Sequence, residues 1–187
     1  EIAMLTVVRK HFKKVVLLLN VGNIIDMTDI NRIAPDAVLY VWQGGMTGGK
    51  GTADVLTGKV SPSGKLPDTI AYKASDYPSD ANFGREENRD IYAEDIYVGY
   101  RYFETFAKEK VLYPFGFGLS YTEFEIKTEK AEITEGAVKL SVSVKNIGSY
   151  KGKEVIEVYC EAPQGRLGKA ARVLCGFEKT RELVPQE

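Results

Sequence analysis

Two short, unbroken apolar runs, Val15–Val21 (VVLLLNV) and Ala37–Trp42 (AVLYVW), constrain this sequence more than any other feature. A strand that faces water on one side alternates apolar and polar residues. A strand covered on both faces does not, and such strands belong to parallel sheets layered with helices. The flanking residues fit that reading. Leu5, Val8 and Phe12 recur at helical spacing over residues 2–12, and Thr28–Ile33 reads as a short helix that Asp26 or Thr28 can cap. A glycine-rich turn, Gly44–Gly51, follows the second run, and Ala53–Leu56 continues as helix until Gly58. The order helix, strand, helix, strand, helix is a repeated β–α unit. Two parallel strands cannot cover their own faces and edges. This layer is therefore expected to be the later part of a larger α/β domain that begins before Glu1.

Residues 59–121 carry no regular pattern. Ser61-Pro-Ser-Gly64 and Leu66-Pro67 make a rigid turn, and Ser75–Asn88 is polar, with Pro78 and Gly84. The segment is rich in aromatic residues, among them Tyr97, Tyr100, Phe103, Tyr113, Phe117 and Tyr121. Rings in a long irregular segment are expected to be buried along a domain seam. From Thr122 the pattern changes to period two. Candidate strands are Thr122–Thr128, Val138–Val144, Glu154–Cys160 and Val173–Lys179, with turns at Glu135-Gly136, Asn146–Gly152 and Pro163–Gly168. That spacing suggests an Ig-like or fibronectin-like sandwich, which needs about seven strands. Four strands leave open edges, so the sandwich is expected to be unfinished at Glu187.

The formal net charge is −1, with 44% hydrophobic and 27% charged residues. That balance gives no electrostatic reason to expect a nucleic-acid or anionic-membrane partner. The longest apolar run, Val15–Leu19, is far too short to span a bilayer, and Arg9–Lys14 reads as a solvated helix end. No signal peptide is visible at Glu1-Ile-Ala-Met4. Cys160 and Cys175 each sit inside a strand-like run and read as two buried, unbridged thiols, which points to the cytoplasm.

Several residues invite a chemical role. Gly44–Thr52 (GGMTGGKGT) follows a strand and precedes a helix, where a phosphate-binding loop would lie, but Gly51 stands where Ser or Thr must reach the metal ion. Its glycines equally suit close packing and positive φ. Glu86, Glu87, Asp90, Glu94 and Asp95 crowd one loop. Two opposed carboxylates can cleave a glycoside, yet neighbours along one loop do not fix two groups on opposite sides of a sugar. An exposed acidic loop is the expectation there. Asp54, flanked by Ala53, Val55 and Leu56, reads as a structural hydrogen-bonding group. His11 is the one histidine and has no Cys or second His near it, so no metal site is expected. No G-x-S-x-G elbow is present. No catalytic residue and no cofactor is assigned within the chain, and the substrate-binding residues are left open.

Taken together, several motifs resemble glycoside hydrolase family 3, and most closely its bacterial β-glucosidase branch. They run in order over nearly the whole chain: Asn20-Val-Gly22, Val41-Trp-Gln-Gly-Gly45, Ala53-Asp-Val-Leu-Thr-Gly58, Ser61-Pro-Ser-Gly-Lys-Leu-Pro67, Tyr97-Val-Gly-Tyr-Arg-Tyr-Phe103, Tyr113-Pro-Phe-Gly-Phe-Gly-Leu-Ser-Tyr121 and Gly152-Lys-Glu-Val155. The resemblance implies α/β plus all-β architecture: a partial parallel α/β sandwich layer, then an incomplete fibronectin III-like β-sandwich. It assigns residues 1–68 to the second half of the α/β sandwich domain, 69–121 to an aromatic-rich connector and 122–187 to the start of the fibronectin-like domain. It also implies retaining hydrolysis of β-linked glucose from non-reducing ends. The aspartate nucleophile comes from a TIM-like barrel, and the acid/base glutamate from a loop expected shortly before Glu1. Neither motif occurs in these 187 residues. Relatives usually carry Gln-Glu or a similar polar pair where this chain has Met46-Thr47.

Two classes of function follow. One is a segment of a β-glucosidase-type hydrolase, inactive alone, whose partners are its substrate and the barrel. The other is a non-catalytic carbohydrate-binding or scaffold module, motivated by the aromatic connector.

Overall fold

The computed structural model describes residues 1–86 and 88–187. The chain forms two compact units. The first comprises Glu1–Thr52, Leu66–Phe117 and Cys160–Val173, and the second Ala53–Lys65, Gly118–Tyr159 and Leu174–Glu187.

In the first unit, α1 (Ile2–His11) leads to β1 (Val16–Leu19), α2 (Thr28–Ile33) and β2 (Ala37–Tyr40), and α3 (Gly48–Leu56) begins there and ends in the second unit's segment. The two strands pair in parallel, Val16 opposite Ala37 and Leu19 opposite Tyr40. Val15, Leu17 and Leu19 alternate onto one face and pack with Leu5 and Val8 of α1 and with Met27, Ile30 and Ile33 at α2. Burial of these side chains is the main force holding the layer together. Asp36 fixes the entry to β1: its Oδ2 accepts hydrogen bonds from the Val15 amide and from Arg9 Nη1, both at 2.8 Å. Arg9, Lys10 and His11 fill the last turn of α1, where cations complement the helix dipole.

The opposite face departs from the sequence expectation. Val16 and Leu18 are 50% and 40% exposed, so β1 is buried on one face only, and no residue of β2 is fully buried. The unbroken apolar pattern reflects residues suited to a second layer, and no element among the described residues supplies one. Two further differences are local. Helix α3 begins at Gly48, inside the stretch read as a turn, and the amide of Gly51 bonds to the carbonyl of Thr47 at 3.1 Å. Before α2 the first helical residue is reached through Asp26, whose Oδ1 accepts the Thr28 amide at 2.8 Å, while the cap position itself is Met27.

Residues 59–121 are more ordered than their sequence suggests. Short strands β3 (Ile70–Ala71) and β4 (Val111–Tyr113) pair antiparallel, and α4 (Tyr100–Phe106) lies between them in sequence. These pieces escape periodicity because two- and three-residue strands are defined by their distant partner, not by a local pattern. Phe103 is buried with Ala71 and Ala107, and its ring meets Tyr77 edge-on at 5.3 Å. Other rings of this segment pair with one another, Tyr97 with Phe106 at 4.8 Å and Tyr113 with Phe117 at 5.1 Å. Edge and offset contacts of this kind add to plain area burial.

The second unit is built on β-hairpin pairing. β5 (Phe124–Thr134) and β6 (Ala137–Asn146) run antiparallel from Phe124 opposite Asn146 to Thr134 opposite Ala137. The turn holds Gly136 at φ +80°, a conformation glycine adopts without steric cost. β5 extends six residues beyond the expected Thr128, because its polar stretch 129–134 still pairs with β6. β7 (Val155–Cys160) and β8 (Val173–Lys179) form a second two-stranded sheet. Asn146, fully buried, ties the unit together. Its Nδ2 donates to the carbonyls of Tyr150 and Leu183 at 2.7 and 3.0 Å, and its Oδ1 accepts the Thr122 hydroxyl at 2.7 Å.

Candidate functional site

The carboxyl-terminal ends of β1 and β2 are the first place to look, because open parallel sheets bind ligands there. Asn20, Gly22 and Asn23 follow β1, and Trp42 and Gln43 follow β2. Tyr40 braces this edge: its hydroxyl donates to the Asn23 carbonyl at 2.9 Å and its ring lies 4.6 Å from that of Trp42. Burial pushes the Tyr40 hydroxyl above its ordinary pKa, so it remains a donor at neutral pH. Trp42 holds φ +54°, which is rare for a bulky side chain. Gln43 lies over Gly22, where a β-carbon would stand 3.0 Å from its Nε2. Sequence reading places Trp42 at the end of a buried strand and passes over this edge. β2 in fact ends at Tyr40, two residues before the expected Trp42.

The other candidates are dispersed. In the glycine-rich loop, the Thr52 hydroxyl bonds to the Gly48 carbonyl at 3.0 Å, within helix α3, so it is spent on the backbone. Met46 is fully exposed. Nothing there forms a phosphate cradle with a metal-reaching hydroxyl. Asp54 forms an ion pair with Lys59 at 3.2 Å, which suits the structural role expected of it.

Of the acidic loop, Glu87 lies outside the described residues. Glu86 pairs with Arg89 at 2.8 Å. Asp90, Glu94 and Asp95 line one open hollow of about 270 Å³ together with Phe83 and Tyr92. Asp90 and Asp95 are exposed, as an acidic surface loop should be. His11 is exposed at the end of α1. Among the described residues, no cluster of three His, Cys, Asp or Glu side chains could hold a metal ion.

The cysteines require a correction. Cys160 and Cys175 are exposed, not buried. Cys160 is the last residue of β7 and Cys175 lies inside β8, and neither strand has a fully buried residue, so an apolar-looking strand leaves its thiol in water. Cys160 borders an open apolar hollow of about 460 Å³ with Ile96, Ala162 and Val173.

The motifs that carry the family resemblance meet in space within each unit. In the first, Leu66 and the Phe117 turn exchange backbone hydrogen bonds, Leu66 N to Phe117 O and Gly116 N to Leu66 O, both 2.8 Å. In the second, Ser61 and Ser120 hydroxyls are 2.8 Å apart, and Lys65 Nζ donates to Gly118 O at 3.0 Å. The sequence signature is thus a structural clasp.

Comparison with known proteins agrees with that signature. Residues 1–121 match the model of the glycosyl hydrolase family 3 C-terminal domain. The chain belongs to that family. Its whole length is 65% identical to a β-glucosidase of Ruminococcus albus, of which it spans 20%. The crystal structure of a β-glucosidase from Paenibacillus barengoltzii covers all of this chain at 54% identity and a TM-score of 0.93, with the chain spanning 21% of it. β-Glucosidase 3B of Thermotoga neapolitana, solved with glucose, also covers all of it, at 40% identity and a TM-score of 0.91, with 27% of that chain spanned. The family 3 chain thus corresponds to about a fifth to a quarter of these relatives. No helix among the described residues is long and apolar enough to cross a membrane.

Proposed function

We propose that this chain is a segment of a retaining β-glucosidase-type hydrolase that removes β-linked glucose from non-reducing ends, with both catalytic carboxylates supplied by residues outside it. The observation that carries this reading is the uninterrupted 65% identity to a β-glucosidase five times its length. A retaining pair must hold its carboxyl groups about 5 Å apart across a substrate. Asp90, Glu94 and Asp95 follow one another along a single loop beside one hollow.

Several finer features belong to the same reading. Residues 1–68 complete an α/β sandwich, 69–121 connect it, and 122–187 begin a fibronectin III-like domain. The exposed apolar residues Val16 and Leu18 on β1, and Ile126, Ile133 and Val138 on the hairpin, are surface that further chain would cover. A TIM-like barrel is the partner that brings the nucleophile. A cytoplasmic location suits two exposed thiols, which an oxidising compartment would leave open to bridging.

The test is hydrolysis of an aryl β-glucoside by the 187-residue chain and by the protein translated from the complete coding sequence. Activity is expected only in the second. Hydrolysis by the short chain, abolished by replacing Asp90, Glu94 or Asp95, would overturn the reading. A second reading, a carbohydrate-binding module, draws on Phe83 and Tyr92, 86% and 90% exposed beside the same hollow. Calorimetry with glucose and cellobiose on the Phe83→Ala/Tyr92→Ala chain separates the two: loss of saturable binding there favours the module.

A further inference from the structure

The edge formed after β1 and β2 combines three features that a purely structural strand end does not need. Trp42 adopts φ +54° although it is the bulkiest side chain in the protein. Backbone strain at a bulky residue persists only where its surroundings over-determine it, and such positions concentrate at ligand sites. The surroundings here are specific. The Val41 amide bonds to Leu19 O at 3.0 Å, the Tyr40 ring lies against Trp42 at 4.6 Å, and the Tyr40 hydroxyl fixes the neighbouring Asn23 carbonyl. Trp42 is half-buried, while Asn23 and Gln43 at the same strand ends are exposed. Asn23 Oδ1 accepts the Ile24 amide at 2.8 Å, which leaves its NH₂ as a donor. Gly22 leaves space for the Gln43 carboxamide, whose Nε2 would meet any β-carbon there at 3.0 Å.

An aromatic ring and two exposed carboxamides at the same pair of strand ends suit one ligand chemistry. A pyranose offers an apolar C–H face to a ring and a rim of hydroxyls that donate and accept. We infer that Asn23, Trp42 and Gln43 form a pyranose-binding edge at the carboxyl ends of β1 and β2. Trp42 supplies the stacking face and the two amides hold the hydroxyls. The location agrees with where open parallel sheets take their ligands. The choice of a glucose-type ring as ligand rests on the β-glucosidase reading above.

Trp42 is the one tryptophan in the chain, so its fluorescence reports this edge alone. The 187-residue chain is titrated with cellobiose and methyl β-glucoside, and with sorbitol as an acyclic polyol that lacks a ring face. The expected result is a saturable emission change with a Kd on the order of 1–10 mM for the two glucosides and none for sorbitol. Gln43→Ala and Asn23→Ala each weaken it about fivefold, the loss of one hydrogen bond, while the far-UV circular dichroism stays the same. Leu167→Ala, at a residue 92% exposed on a different loop, leaves it unchanged. No saturable response to the glucosides, or an undiminished one in both amide variants, overturns the inference. A full-length enzyme that hydrolyses glucosides while Trp42 stays silent sinks this inference alone. A saturable response without hydrolysis by the full-length protein sinks the β-glucosidase reading alone.

Discussion

Gly118 stands so close to Gly64 that a β-carbon at residue 118 would lie 2.2 Å from the Gly64 carbonyl oxygen. That distance is well inside van der Waals contact, and the atom it meets is backbone, which cannot swing aside. Gly118→Ala is therefore expected to destabilise the second unit by about 1–3 kcal/mol, the usual cost of overpacking. The check is the urea midpoint of the variant against the parent chain. Gly165→Ala, where a β-carbon meets open space, serves as the control and should leave that midpoint in place.

This contact also shows what the sequence could and could not reveal. Gly64 and Gly118 belong to the two most distinctive motifs, Ser61-Pro-Ser-Gly-Lys-Leu-Pro67 and Tyr113-Pro-Phe-Gly-Phe-Gly-Leu-Ser-Tyr121. Their spacing carried the family resemblance, but nothing local told that they touch. The parallel pair was legible because Val15–Val21 and Ala37–Trp42 are apolar without a break, and strand β8 was legible from end to end. The exposed faces of Val16, Leu18 and the two cysteines were not. Sequence pattern records which residues suit burial, and whether a layer arrives to bury them depends on other parts of a fold. Trp42 was hidden for a different reason. A positive φ leaves no mark on residue type unless glycine or asparagine occupies it.

Lys65 and Glu154 pair at 2.7 Å with side chains only 19% and 15% exposed. Lys65 also donates to Gly118 O, and Glu154 Oε1 accepts the Val155 amide at 2.7 Å. Each charge is thus doubly engaged in a partly dry site. Removing one partner leaves the other's charge poorly solvated, so Lys65→Met or Glu154→Gln should each cost about 1–3 kcal/mol. The double variant should cost less than the sum of the two. A double-mutant cycle from urea titrations measures that coupling, and strict additivity would show that the pair contributes nothing of its own.

Asn146 makes more of its side chain than any other buried polar residue here. Beyond the Tyr150, Leu183 and Thr122 contacts, its Oδ1 accepts the Gly148 amide at 3.1 Å. Truncation to alanine strands several buried donors and acceptors at once, and a loss of about 3 kcal/mol is expected. Asn146→Asp should be at least as damaging. It keeps the shape but faces the Tyr150 and Leu183 carbonyls with a carboxylate that has nothing to donate. Equilibrium unfolding of the three chains ranks them directly. An aspartate variant as stable as the parent would refute this account of the site.

Acid should unfold the first unit partly through Asp36. Its hydrogen bond from the Val15 amide, then the charges of Arg9 and Lys14, hold its carboxyl below the ordinary aspartate value. Asp26 is lowered too, by its hydrogen bonds from Thr28. A carboxyl whose pKa is depressed by folding binds its proton more readily when unfolded. Its stabilisation is complete above the unfolded value of about 3.9 and disappears as the pH falls through the lower folded value. Thermal melting of the parent chain should therefore be steady from neutrality down to about pH 5 as far as these groups are concerned, and fall steeply below about pH 4. Asp36→Asn can still accept the Val15 amide but has no charge to lose. It should melt lower than the parent at pH 7, and the gap between the two should narrow as the pH drops from about 4 to 2. A gap that stays constant over that range would mean that Asp36 acts through shape alone, with its ionisation unlinked to folding.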